Sequence, residues 1–365
     1  MKIAILGTRG IPNHYGGFEQ FAEHLALGLH QRSHDVTVYN SHTHPYKERT
    51  FHGVKIIHIY DPEERVGTAG QFVYDLLSII NTRSKEYDII LQLGYTSSSI
   101  FFKLHPKSAT LITNMDGLEH RRSKYSTKVQ AFLRWAESLA VKESDILVSD
   151  SLGIQEYLHK KYAVTSTYIP YGATLFENPQ KELIFTYQLT PYQYNLLIAR
   201  LEPENSIELI LDGVSQADST LPFLVIGNHD TKYGHYLKAR YKDKDNITFL
   251  GGIYDQEKLN NLRYFSKLYF HGHTVGGTNP SLLEAMASQA LICAHKNIFN
   301  AAILGKDALY FQSSDDVTSL LNTLQRDEHQ EKVNHNIKKI KEEYNHETII
   351  SKYETLFKNQ LKTNQ

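Results

Sequence analysis

HGHTVGGTNPSLLEAMA, residues 271–287, is the stretch from which the fold is read. It follows Lys267–Phe270, which has strand character, and passes through a polar turn holding Gly276 and Gly277. A helix then begins, with Asn279 placed to cap it and Pro280 at its first position, where no amide hydrogen is needed. Glycines ahead of a helix start let backbone amides and the positive helix end approach a phosphate. Glu284 falls on the first turn and a half, within reach of a sugar hydroxyl beside that phosphate. Strand, glycine turn and helix together predict a nucleotide-diphosphate site late in the chain.

The same alternation extends through the chain, whose 365 residues favour two domains with a core each. The first domain reads as strand Lys2–Leu6, loop Gly7–Gly17, helix Phe18–Arg32 and strand Asp35–Tyr39. Phe18, Phe21, Ala22, Leu25, Ala26 and Leu29 share one face of that helix, the pattern of an element packed on a sheet. Strands are expected at Val54–Ile59, Asp88–Leu93, Ala109–Thr113 and Asp145–Ser149, with helices at Ala69–Thr82 and Thr127–Val141. A boundary falls near Ile169–Gln188, and the pattern restarts with strand Asn195–Ala199, helix Ser206–Val214, strands Phe223–Gly227 and Ile247–Leu250, and helix Asp255–Phe265. Strands Leu291–Ala294 and Ala308–Phe311 follow, then charged helices at Val317–Gln325 and Gln330–Phe357, with Lys358–Gln365 fraying. Repeated strand–helix alternation implies parallel sheets with crossover helices, and ligands at the carboxyl ends of the strands.

Composition excludes several classes. The formal charge is −1, so no global basic field points to nucleic acid. The single cysteine, Cys293, excludes an internal disulfide and suits a reducing cytosol; set in LICA, it reads as a small buried hydrophobe rather than a nucleophile. The opening MKIAILG is too short an apolar run for a signal peptide and reads as the first strand. No run approaches the ~18 apolar residues of a membrane span, so a soluble or surface-attached chain is expected.

Four segments follow strands and can carry chemistry. The loop GTRGIPNHYGG, Gly7–Gly17, is not G-x-G-x-x-G: its first interval runs from Gly7 to Gly10, and Gly16–Gly17 sits directly before the helix. That spacing favours a loop lying against a phosphate or an acceptor, with Tyr15 a candidate acceptor contact and Gly16 and Gly17 candidate donor contacts; a plain tight turn is the other reading. In TNMDGLEHRR, Thr113–Arg122, the residues Asp116, Glu119 and His120 are candidates for acid–base work or for binding acceptor hydroxyls. Asp116 before Gly117 also fits a turn, and His120 fits a structural role. In ARLEPEN, Ala199–Asn205, Arg200 can offer a forked donor to phosphate oxygens, and Asn205 can bind the same group or cap the next helix. In the opening stretch His271 and His273 alternate on one strand face. Without a cysteine or a suitably spaced carboxylate to complete a metal set, His273 is better directed at a sugar or phosphate. Gly251, Gly276, Gly277, Thr278, Asn279, Ser281, Leu282 and Glu284 complete the candidate donor contacts.

Together these segments resemble a known family. ARLEPEN followed by GGTNPSLLEAMA is similar to the donor half of family 4 retaining glycosyltransferases, which have the GT-B fold. MKIAILGTRGIPNHYGGFEQFAE and NMDGLEHRR resemble the bacterial subgroup containing rhamnosyltransferases of surface-polysaccharide assembly, and EEYNHETIISKYETLF resembles the closing helices. The resemblance implies an α/β protein of two doubly wound Rossmann-like domains facing a central cleft. The domains would be residues 1–175 for acceptor binding and 176–345 for the nucleotide sugar, with helix 346–365 packed back on the first. It implies a retaining glycosyltransferase of hexosyltransferase type, with Asp116, Arg200 and Glu284 in the catalytic roles. The donor would be a nucleotide-diphosphate sugar, with rhamnose favoured, and the acceptor a glycan or lipid-linked oligosaccharide. No cofactor, metal or nucleic acid is expected. The family usually carries two glutamates separated by seven residues; the second is Glu284, which the resemblance assigns to the ribose, and Gly276 occupies the place of the first. Asn205 stands where the family often has a lysine on the diphosphate.

The stretch Arg121–Arg134, RRSKYSTKVQAFLR, is basic throughout, and Phe132, Leu133 and Trp135 accompany it. It can rest on an anionic membrane, which would place the protein at the inner face of the plasma membrane, or be a solvated face of a sheet-packing helix. A non-catalytic sugar-nucleotide-binding protein and a GT-B epimerase or hydrolase are the competing functions.

Overall fold

The computed structural model describes residues 1–14, 16–122 and 124–363. The chain divides into two compact units, Met1–Tyr171 with His346–Gln365, and Gly172–Asn345.

The N-terminal unit runs β1 (Lys2–Leu6), α1 (Gly17–Gln31), β2 (Asp35–Ser41), β3 (Thr50–Phe51), β4 (Val54–Ile59), α2 (Glu63–Val66), α3 (Gly70–Thr82), β5 (Ile89–Leu93), β6 (Thr110–Asn114), α4 (Thr127–Glu143), β7 (Ile146–Ser149), α5 (Leu152–Tyr162) and β8 (Thr167–Tyr168). Its sheet has the order β3-β4-β2-β1-β5-β6-β7-β8, parallel except for the β3–β4 pair. Every residue of β5, IILQL, is buried, the continuous run expected where helices cover both faces of a parallel sheet. In α1 the inward face consists of Phe21, Ala22, Leu25, Ala26 and Leu29.

The C-terminal unit runs α6 (Glu182–Phe185), β9 (Asn195–Ile198), α7 (Ile207–Gln216), β10 (Phe223–Ile226), α8 (Lys232–Arg240), β11 (Ile247–Gly251), α9 (Gln256–Tyr264), β12 (Leu268–His271), α10 (Pro280–Ala287), β13 (Ile292–His295), α11 (Ile298–Leu304), β14 (Leu309–Phe311), α12 (Ser314–Thr323) and α13 (Gln330–Glu342). Its parallel sheet has the order β11-β10-β9-β12-β13-β14, and Leu197, Val225 and Phe270 pack with Leu211, Leu237 and Val317 in one core. The chain then returns to the N-terminal unit as α14 (His346–Thr363). There Tyr353 and Phe357 are fully buried, and Glu354 accepts from Arg32 at 2.8 Å and contacts the His34 ring at 2.9 Å.

Both sheets are doubly wound. The chain moves outward from β1 through β2, then outward on the other side from β5; in the C-terminal unit it does so from β9 and from β12. Each unit therefore has a switch point, beside the carboxyl ends of β1 and β5 and of β9 and β12, where open α/β sheets take their ligands.

Three local expectations need correction. The helix expected over 330–357 is two helices: α13 ends where the Asn345 side chain donates to the Lys341 carbonyl at 2.7 Å, satisfying a terminal acceptor. The second of them, α14, continues through Lys358 to Thr363, past the expected fraying point. Helix α5 was not anticipated, because its apolar stripe is short; Ser151 caps it by accepting from the Ile154 amide at 3.2 Å.

Candidate active site

In the C-terminal unit the switch point gathers the segment after β9 and the loop after β12. Arg200 is exposed, and its guanidinium makes no hydrogen bond or ion pair among the described residues. A 3-10 turn, Pro203–Asn205, follows it. The Asn205 amide donates to the Arg200 carbonyl at 2.8 Å, and its Oδ1 lies 2.8 Å from His273 Nδ1. The amide NH2 is thereby turned to the carbonyl, so His273 Nδ1 donates to the remaining oxygen. Asn205 does not cap α7: Ser206 stands at that position with φ +49°, and it too makes no side-chain cap. The two segments are sewn together where the Thr274 amide and hydroxyl both donate to the Glu204 carbonyl at 2.9 Å.

Strand β12 ends at His271, so His273 lies in the loop and the two histidines do not share a strand face. His271 is buried, and burial, with His273 and Arg263 nearby, pulls its pKa down to about 3. It is a neutral core residue, not a ligand-facing one. Gly276 has φ +111°, a backbone conformation that a side chain would strain. Asn279 accepts from the Ser281 amide at 2.9 Å, so one of the amides expected to face a phosphate is already used. The Leu282 side chain is fully buried, and its amide donates to the Asn279 carbonyl at 3.0 Å. Ser281 Oγ is likewise engaged, with Tyr269 at 3.0 Å.

Glu284 is held from below. Its Oε2 accepts from Arg263 Nη2 at 2.5 Å, and the Arg263 side chain is 1 % exposed. Sequence reading missed Arg263; the available signal was an arginine on the inward face of α9, among Leu259 and Leu262. Gly251 closes β11 with φ +79° at a register shift against β10, two strands from β9, and the His229 ring lies against it. Cys293 is fully buried and burial pushes its thiol up, which fits a core residue. Among the described residues no group of three or more His, Cys, Asp or Glu side chains is placed to hold a metal.

In the N-terminal unit the switch point lies between the loop after β1 and Gly94–Ser99 after β5, a second segment that sequence reading did not single out. Gly7 is pressed against it: a Cβ there would meet the Leu93 carbonyl oxygen at 2.1 Å. Arg9 forks onto Glu63 at 2.8 and 3.0 Å, and its backbone amide donates to Glu19 at 3.0 Å. Beneath the loop Asp75 is buried and accepts from Ser97 at 2.5 Å. Burial, reinforced by Asp61, raises its pKa to about 7 despite that hydrogen bond. Gly16 and Gly17 open α1 in this unit, whereas the other candidate donor residues belong to the C-terminal unit. Tyr15 lies outside the described residues.

After β6, Asp116 accepts from the buried Tyr171 hydroxyl at 3.0 Å and remains partly exposed. Glu119 is paired with Arg122 at 2.7 Å. His120 is turned inward: Nδ1 lies 3.3 Å from Glu137 and Nε2 lies 3.4 Å from the Tyr157 hydroxyl. Glu137 is 1 % exposed and also receives Tyr157, Lys161 and Tyr162 at 2.8, 2.8 and 2.7 Å. Burial opposes its charge, but these donors outweigh it and hold the carboxyl at about 2. His120 thus fastens the loop to α4 and α5, the structural role its sequence also allowed.

Comparison with known proteins bears on the fold. Residues 1–174 match the family described as a domain of unknown function, DUF1972. No curated protein matches the chain. Among solved structures, sucrose-phosphate synthase from Thermosynechococcus elongatus superposes with a TM-score of 0.82 at 15% identity, covering 99% of each chain. Anabaena HepE in complex with UDP-glucose gives 0.74 at 13% identity over 100% of each chain. A glycosyltransferase from Rickettsia africae gives 0.71 at 15% identity over 99% of each chain. The fold is that of GT-B glycosyltransferases, with two Rossmann-like domains in one chain.

Proposed function

We propose that the protein is a glycosyltransferase that moves a sugar from a nucleotide diphosphate to a glycan hydroxyl. The observation that carries this reading is the exposed Arg200, without a side-chain partner among the described residues, on a segment that Asn205 and Glu204 fasten to the His273–Thr274 loop leading into the Gly276–Asn279 turn. A forked cation next to an open glycine turn suits a diphosphate, whose negative charge grows as the sugar leaves. The likeness to Anabaena HepE, whose structure is a complex with UDP-glucose, supports the same donor class.

In this reading Arg200 and the turn amides bind the diphosphate, and Glu284 binds the ribose. The bond between the anomeric carbon and the diphosphate oxygen breaks as the acceptor oxygen bonds that carbon on the same face. The acceptor proton passes to the departing phosphate oxygen, giving retention. Asp116, partly exposed and fixed by Tyr171, orients the acceptor hydroxyl. Asn205 offers no charge, so Arg200 is the cation on which the site depends. Membership of family 4, rhamnose as the sugar, and a lipid-linked acceptor in surface-polysaccharide assembly rest on the sequence resemblance.

Incubation with a panel of sugar nucleotides, thymidine-diphosphate rhamnose first, tests the reaction by nucleotide release with and without glycan acceptors. Acceptor-dependent release is expected. Release without an acceptor would mean a hydrolase, and binding without release a sensor.

We further propose that α3 and α4 rest on an anionic membrane. On α4 Lys128 and Arg134 have no partner among the described residues and flank Trp135, which is 53% exposed. Phe132 touches both Trp135 and Phe72, extending the apolar face to Val73 and Ile80 on α3. Leu133, by contrast, points into the core, and Arg122 is occupied by Glu119. No helix among the described residues is long and apolar enough to cross a membrane. Flotation with vesicles containing anionic lipid at low salt is expected, with Trp135→Ala weakening it; no flotation would refute this surface.

A further inference from the structure

The geometry points to Arg263 as a positioning residue: it spends one oxygen of Glu284 and presents the other to the ribose of a nucleoside diphosphate. This deepens the donor-site reading and rests on it. Arg263 is fully buried on α9, and its planar guanidinium offers several donors in a fixed fork. It donates to Asn260 Oδ1 at 3.1 Å, to Ser281 Oγ at 3.5 Å and to Glu284 Oε2 at 2.5 Å. The neighbours are themselves fixed: Asn260 Oδ1 also accepts from Ser288 at 3.2 Å, and Ser281 Oγ is hydrogen-bonded to the Tyr269 hydroxyl at 3.0 Å. The guanidinium therefore cannot swing.

Glu284 Oε1 makes no hydrogen bond among the described residues, and the side chain is 18% exposed. One oxygen is anchored in the protein, while the other keeps its lone pairs free on a partly exposed side chain whose carboxylate plane the Arg263 bond helps to fix. That arrangement suits an acceptor for a sugar hydroxyl at a set place. Arg263 also cancels the carboxylate charge from behind. A bare carboxylate beside a diphosphate would repel it, whereas the pair is neutral overall and remains an acceptor. Alignment and neutralisation both come from one residue that itself touches no ligand.

Calorimetric binding of UDP, 2′-deoxyUDP and 3′-deoxyUDP separates this role from plain structural support. The wild type is expected to prefer UDP over at least one deoxy analogue by about tenfold, the loss expected for one hydrogen bond to a charged group. Arg263→Lys keeps the charge but lacks the planar fork, so that ratio should collapse toward unity while affinity for the deoxy analogue changes little. Asn260→Ala leaves the ion pair in place and loosens the guanidinium; the ratio should fall in the same direction, which covers the case in which the lysine variant does not fold. A wild type that binds UDP without discriminating its hydroxyls, or folded variants that keep the full ratio, would overturn the assignment. A wild type that binds none of the three, and no thymidine or guanosine diphosphate either, would refute the donor-site reading beneath it.

Discussion

Glu284→Ala leaves the Arg263 guanidinium, 1 % exposed, without its carboxylate. Stranding one half of a buried ion pair costs about 3–5 kcal/mol, so this variant should show a clearly lowered unfolding midpoint in urea as well as lost activity. Glu284→Gln keeps an acceptor oxygen for the guanidinium but not the countercharge, so its midpoint should fall between those of Glu284→Ala and the wild type. Equal stability of wild type and Glu284→Ala would mean that the pair is not the strut described. Asp75 works in the opposite sense. Its carboxyl is raised to about 7 by burial, above the unfolded value near 3.8, so the folded state holds a proton that the unfolded state releases. Stability is full below about pH 4 and declines as pH rises through 7. Asp75→Asn should therefore gain on the order of 4 kcal/mol at pH 8 and little at pH 4. Chemical denaturation at the two pH values measures this; an equal effect at both would refute the raised pKa.

At the scale of elements, the segment 114–122 owes its position to α4 and α5 through Glu137. That carboxyl is depressed to about 2 from an unfolded value near 4.5, so its contribution is complete above pH 4.5 and is lost as pH falls toward 2. Glu137→Gln should flatten the acid limb of the stability profile and cost on the order of 3 kcal/mol at neutral pH. An unchanged acid limb would contradict the network. This network also shows where the sequence was hard to read. The spacing of TNMDGLEHRR after a strand located the loop, but His120 carries no local mark of its partner on α4, seventeen residues on. The strands and α1 were legible because apolar period and burial coincide along each of them. Short elements such as α8, KYGHYLKAR, bury little apolar surface and so left a weak pattern.

For the molecule as a whole, the doubly wound order of both sheets follows from repeated strand–helix alternation, and it sets the ends of β9 and β12 as the ligand crevice of the C-terminal unit. The opening stretch, residues 271–287, and Arg200 were legible as parts of that crevice because each directly follows a strand. Arg263 was less so, since it lies one layer beneath and acts only through Glu284. The break at residues 343–345, where the chain passes from one unit to the other, was hidden by uninterrupted helix formers on both sides. In the proposed function this crevice binds a nucleotide-diphosphate sugar through Arg200. Calorimetric titration of a sugar-nucleotide panel into wild type and Arg200→Ala tests it most directly, because the exposed, unpaired side chain can be removed without disturbing the fold. Saturable binding of at least one sugar nucleotide, weakened by about tenfold or more in Arg200→Ala, is the predicted result. No binding by the folded wild type, or equal affinity in the two proteins, would contradict it.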